Sequence, residues 1–155
     1  MAGNDPTLEK TLEELPVVTY GAGETILSDG SKTGRLLILK TGAVVVLKDS
    51  VEIARVEQPG AVLGELGALL DQPHAATVNA LEDSQCYFAD GSLLRNNPIV
   101  LLHVATILSR RLIAANQGLV ELKKQLEAGQ SPSLVRRALA KMEEILMVGG
   151  ASYET

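Results

Sequence analysis

Between Val17 and Ala89 the apolar positions come in short runs, and the runs are cut by turn signals: YGAGE, SDGSKTG, KTGA, KDS, QPGA, DQPH and LEDS. Turn residues recurring every few to a dozen positions set the rhythm of an antiparallel sandwich or barrel. The runs agree with that rhythm. LLILK, AVVVLK, VEIARVE and ATVNALE are rich in Val, Ile and Leu, and in VEIARVE apolar and charged residues alternate. A period of two puts successive side chains on opposite faces of a strand, so each face is assigned by the pattern.

The rhythm stops near Asp90. From Pro98 the stretch IVLLHVATILSRRLIAANQGLVELKKQLEAG predicts one long helix, with Asn97 and Pro98 at the N-cap and first turn and Gly129 as the C-cap. Leu101, Ala105, Leu108, Leu112, Ala115, Leu119, Leu122 and Leu126 recur at alternating steps of four and three, an a/d heptad seam. The first half of this helix is apolar on other faces too, which predicts packing on the β part. In the second half Glu121, Lys123, Lys124, Gln125 and Glu127 stand outside the seam, so a second copy of the chain, making a homodimer, is expected against it, the alternative being that the seam lies on its own domain. After Gly129-Gln130-Ser131, SPSLVRRALAKMEEILMV predicts a shorter helix with Ser131 as cap and Pro132 in its first turn. Its apolar stripe, Leu134, Ala138, Leu139, Met142, Ile145 and Leu146, requires a docking surface. VGGASYET reads as a frayed tail. The chain thus divides into an N-terminal helical segment (1–14), a β domain (15–97), a long helix (98–129), a C-terminal helix (131–148) and a tail (149–155).

A chain of 155 residues with 46% hydrophobic content can bury the core of one domain, and 3% aromatics with no Trp means that Leu, Val, Ile and Ala build it. The net charge of -5 repels a phosphate backbone, which disfavours nucleic acid as a partner. MAGNDPTLEKTLEELP is no cationic apolar leader, and no apolar run is expected to approach the ~20 residues that span a bilayer; a soluble cytoplasmic protein is expected. The lone Cys86 has no disulfide partner and no ligand at metal spacing, so it reads as a buried core thiol. His103, alone on an apolar helix, reads as a satisfied core histidine, and Arg110-Arg111 as a solvated or ion-paired face. Arg136, Arg137 and Lys141 share their helix with Glu143 and Glu144, the composition of a mixed-charge surface and not of a DNA contact. Paired carboxylates, Ser-His or Cys-His arrangements and metal clusters do not stand out, so neither catalysis, a metal nor a required cofactor is expected.

YGAGETILSDG, LLILKTGAVVV, QPGAVLGELGALLDQPHAATVNALEDS and NP followed by ILSRRL occur in this order over roughly Leu15 to Leu112, with glycines at Gly23, Gly30, Gly42, Gly60, Gly64 and Gly67. The arrangement resembles the cyclic nucleotide-binding domain of the catabolite activator protein and of cyclic-nucleotide-dependent kinases and channels. That resemblance implies a mainly β fold with helices, an antiparallel double-stranded, jelly-roll-like β-roll followed by the long and the shorter helix. It implies cAMP or cGMP as ligand, and makes GELGALL the short helix of a phosphate-binding cassette. Gly64 then lets the backbone approach a sugar, and the first turn offers amide N–H groups without helical partners. Glu65 corresponds to the ribose ligand, accepting from the 2'-hydroxyl, with Leu66 beside it. Ala75 presents its N–H to the cyclic phosphate, small Ala76 leaves room, and Thr77 stands where some family members meet a guanine, which leaves the base preference open.

The departure is His74, which stands where tight-binding family members carry arginine. A neutral imidazole donates one hydrogen bond in place of a charged fork, and a bond of about 1.5–3 kcal/mol to a charged group corresponds to roughly 10- to 100-fold in affinity. Asn116 and Gln117 are the candidates for reading the base edge from the long helix. A winged helix-turn-helix does not fit in residues 131–155, and no kinase, channel or cyclase sequence is seen. The Met start and tail-like end suggest a complete, stand-alone sensor acting through its last helix on a separate protein partner. The rival expectation is a ligand-free dimeric interaction module of the same fold.

Overall fold

A computed structural model describes residues 5–129 and 131–148, with side chains described up to residue 140. The elements run α1 (Pro6–Glu13), β1 (Val17–Tyr20), β2 (Thr25–Leu27), β3 (Leu36–Thr41), β4 (Val44–Lys48), β5 (Val51–Val56), β6 (Val62–Leu63), α2 (Glu65–Leu70), β7 (Thr77–Ala80), β8 (Ser84–Ala89), α3 (Gly91–Arg95), α4 (Pro98–Glu127) and α5 (Pro132–Val148). The strands form two four-stranded antiparallel sheets, ordered β1-β8-β3-β6 and β2-β7-β4-β5. This is the β-roll that the turn rhythm and the resemblance imply.

Why the sequence LLIL in β3 does not alternate is answered by its surroundings. Leu37 and Leu39 point into the core between the sheets with Val44, Val46, Leu63, Val78 and Cys86. Leu36 and Ile38 point the other way, into a second core closed by Leu12 of α1, Leu94 of α3 and Val100, Val104 and Ile107 of α4. A strand buried on both faces loses the polar half of its pattern. Cys86 is fully buried between the sheets, as expected, and burial pushes its thiol up to about 11.

Asn97 caps α4, its side-chain oxygen accepting the Val100 N–H at 3.2 Å, and Gly129 follows the helix at φ +69°. The helix packs on the roll through Val100, Val104, Ile107, Arg111 and Ala114. Of the seam residues, Leu101, Ala105, Leu112, Leu119 and Leu126 are exposed, while Leu108, Ala115 and Leu122 are half-buried. By length and composition α4 is apolar enough to cross a membrane, with a mean hydropathy of 1.5 over its best window. This corrects the expectation that no such run exists: the helix is apolar towards the roll and again on its free face. His103 is half-buried on α4, and its Nε2 lies 2.9 Å from the Gly60 carbonyl oxygen, to which it donates.

Helix α5 runs back along α4 and reaches β5. Ala115, Gly118, Leu122 and Gln125 are half-buried on α4, the spacing of a stripe facing α5. Leu134 and Leu139 stay exposed, as do Arg136 and Arg137. The side chains of Lys141, Met142, Glu143, Glu144, Ile145 and Leu146, and the expected tail after Val148, lie outside the described residues.

Candidate ligand-binding site

The backbone leaves β6 at Leu63 and turns at Gly64, whose φ is +82°. A Cβ here would lie 2.4 Å from the Arg35 carbonyl oxygen, so only glycine lets the chain pass this close to β3. Glu65 opens α2, and α2 ends at Asp71 in the left-handed conformation. The chain then enters β7 through Gln72-Pro73-His74-Ala75-Ala76. Between this return path and the sheets lies a cavity of about 180 Å³ with apolar walls from Leu27, Val46, Leu63 and Val78. Gly64, Glu65, Leu66, His74, Ala75 and Ala76 complete its lining, so six of the sequence-predicted residues meet at one place.

Three do not. Thr77 turns its hydroxyl to the Asp29 amide, accepting the N–H at 3.1 Å. Asn116 and Gln117 are exposed on α4 and do not line the cavity of this chain.

Glu65 is held by Arg111, one of the pair that the sequence suggests as a solvated or ion-paired face. Arg111 Nη1 donates to Glu65 Oε1 at 2.5 Å, and Nη2 donates to the Val62 carbonyl oxygen at 2.7 Å. The Arg111 side chain is 4% exposed and that of Glu65 16%, so this is a buried ion pair bridging α4 to α2. The expectation of a solvated or ion-paired face is corrected for Arg111: it is paired, but inside. A signal was present in the sequence, because position 111 follows Ile107 by four and precedes Ala114 by three on the buried stripe. A cation at such a position needs a buried partner.

His74 is buried as well, at 3% exposure. Its N–H donates to the Ser31 carbonyl and its own carbonyl accepts from Gly30, which ties it to the loop between β2 and β3. Its Nε2 lies 2.6 Å from the Thr33 hydroxyl, and Nδ1 is buried with no hydrogen-bond partner among the described residues. Cε1, between the two nitrogens, faces Gly64 and Gly67: an added Cβ at either would come within 3.3 and 3.2 Å of it. Burial pulls the imidazole below its ordinary 6.5, and the Glu65 carboxylate opposes that only in part. Thr33 had no signal in the sequence beyond sitting in a turn.

Residues 17–96 match the family model of the cyclic nucleotide-binding domain. The chain belongs to that family. It is 30% identical over 125 residues to a cGMP-dependent protein kinase of Plasmodium berghei (strain Anka), an alignment covering 81% of this chain and 14% of the kinase. The chain therefore spans a small part of that relative. Among solved structures it is similar to PKAR CBD2 with Sp-2Cl-cAMPS bound, at a TM-score of 0.60 and 25% identity over 86% of this chain and 85% of that one. The Thermus thermophilus catabolite activator protein shares the fold, with a TM-score of 0.63 at 22% identity over 92% of this chain and 85% of that one. The part that matches the cyclic nucleotide-binding domain holds the whole roll and the cavity lining. Arg111, which fixes Glu65, comes from α4 beyond it.

Proposed function

We propose that this chain is a non-enzymatic, cytoplasmic sensor of cAMP or cGMP. The ligand enters the cavity beside α2, its ribose hydroxyl on Glu65 and its cyclic phosphate against Ala75, Ala76 and His74. The observation that carries this reading is the fixed Glu65: a carboxylate at the mouth of a small cavity, oriented by a buried arginine and flanked by a glycine no other residue can replace. Such a group accepts hydrogen bonds from a sugar hydroxyl without first having to be ordered.

Because Arg111 links Glu65 to α4, occupancy of the cavity biases the position of α4 and, through it, of α5. A separate protein partner reads that change. The exposed leucines of α4 pair with a second copy of the chain, and Asn116 or Gln117 reaches a base only from there or after α4 shifts. The reading is tested by titration calorimetry of cAMP and cGMP into the wild-type protein, Glu65→Gln and His74→Arg. Binding of one nucleotide is expected, weakened by Glu65→Gln and strengthened roughly 10- to 100-fold by His74→Arg, which restores a charged fork.

A second reading is favoured by one specific observation: the imidazole at the phosphate position is buried and already engaged by Thr33. On this reading the chain is a ligand-free dimeric interaction module. No heat and no thermal shift with either nucleotide, in wild type and in His74→Arg alike, decides for it.

A further inference from the structure

We infer that Arg35 supplies the positive charge for the anionic part of the ligand, a charge that the buried His74 does not bring, by turning its guanidinium from the Phe88 ring towards the cavity. The inference rests on the sensor reading above and adds to it a residue that the cavity lining does not include.

Arg35 is the residue before β3. Along that strand Leu37 and Leu39 face the core between the sheets, while Leu36 and Ile38 face the second core. A period of two carries Arg35 to the side of Leu37, inside the roll. Its guanidinium agrees with that side, since Cζ is 5.5 Å from the centroid of Phe88, which packs against the same core. Tyr20 of that core feels it as well: burial pushes the phenol up, and the Arg35 charge pulls it back in part.

Across the sheet, Phe88 of β8, Leu37 of β3 and Leu63 of β6 stand in one row, and Leu63 is a wall of the cavity. Because β3 lies between β8 and β6, an Arg35 side chain that leans one way covers Phe88. Leaning the other way, it reaches the Gly64 turn. That turn is close, for the Arg35 carbonyl oxygen is the atom that a Cβ on Gly64 would strike. Neighbouring strands are about 4.8 Å apart, less than the span of an extended arginine side chain.

Charge singles out the same residue. Arg111 is paired with Glu65, Lys32 with Asp71 at 3.3 Å and Lys48 with Asp29 at 2.9 Å. Arg35 has no carboxylate partner among the described residues, and it is exposed. A cation over an aromatic ring at such a site is held weakly, so little is lost when it leaves. Two phosphate oxygens offer its planar fork a better match, and a guanidinium stays charged where a buried imidazole does not.

Titration calorimetry of cAMP and cGMP into the full chain, at low and at high salt, tests this with wild type, Arg35→Gln, Arg35→Lys and Phe88→Leu. Arg35→Gln is expected to weaken the nucleotide that wild type binds about 10-fold or more, and to flatten the fall of affinity with salt. Arg35→Lys keeps the charge without the fork, so its affinity should lie between the two and its salt dependence should match wild type. Phe88→Leu removes only the resting place of the guanidinium and is expected not to weaken binding. Arg35→Gln with wild-type affinity overturns the inference and leaves the sensor reading standing. Weaker binding with an unchanged salt dependence also overturns it, since Arg35 would then act through packing and not through charge. Wild type that binds neither nucleotide overturns the sensor reading and this inference together.

Discussion

Two faces of α4 carry one spacing and meet different surroundings. Val100, Val104, Ile107, Arg111 and Ala114 step by four, three, four and three and are buried against the roll. Leu101, Ala105, Leu108, Leu112 and Ala115 step identically one residue later, and three of them are exposed. One residue on an α-helix is about 100° of rotation, so the two stripes look in nearly perpendicular directions. The larger leucines stand on the face that the roll leaves free, and the roll takes β-branched residues and a charge. A periodic stripe therefore announces that a face has a partner, but the partner has to be found from geometry.

Arg111 and its neighbour Leu112 put the sharpest edge on that contrast. Arg111→Ala leaves the Glu65 carboxylate without its cation and the Val62 carbonyl without its donor, both in a poorly solvated place. Removing one partner of a buried pair costs about 3–5 kcal/mol, and urea unfolding is expected to show a loss near the lower end because Glu65 keeps some contact with water. Leu112→Ala, one position on, is expected to cost under about 0.5 kcal/mol where the chain is monomeric, since its side chain is 62% exposed. Equal costs at the two positions would break the comparison.

A purely apolar pair sharpens it without charge. Val104 is fully buried in the second core. Val104→Ala removes two methyl groups and leaves a small void, about 2 kcal/mol by transfer and cavity terms together. Leu101→Ala, less than one turn away, removes more carbon and is expected to cost less, because that side chain keeps more than a third of its surface in water. Chemical denaturation of the two variants in parallel reads the difference directly.

These contrasts also mark where the sequence stopped speaking. The strands were legible because each is bounded by residues that can turn a chain, and Gly64 because its place before a short helix needs a missing side chain. The limits of α4 were legible from Asn97, Pro98 and Gly129, which act locally. Arg111 was harder: the Arg-Arg pair has the composition of a surface, and its meaning depends on a carboxylate 46 positions earlier. Thr33 was not legible at all, since a hydroxyl in a turn says nothing about an imidazole 41 residues away. The return of α5 along α4 to β5 likewise rests on which faces were left uncovered once the roll had formed.

The smallest change in stability, and a large change in assembly, is expected further along α4. Leu119 and Leu126 lie beyond the contact with the roll, and both are more than half exposed, with Val120 beside them. Leu119→Glu places a charge where this chain offers no packing, so the monomer should unfold within about 0.5 kcal/mol of wild type. If the exposed face meets a second copy, the same charge falls in the middle of an apolar helix pair and is repeated by the two-fold symmetry, so each carboxylate faces its twin. Sedimentation equilibrium is then expected to give twice the chain mass for wild type and a single chain mass for Leu119→Glu. A wild-type protein that sediments as one chain would leave the leucines of α4 to a different protein, and the homodimer would have to be given up.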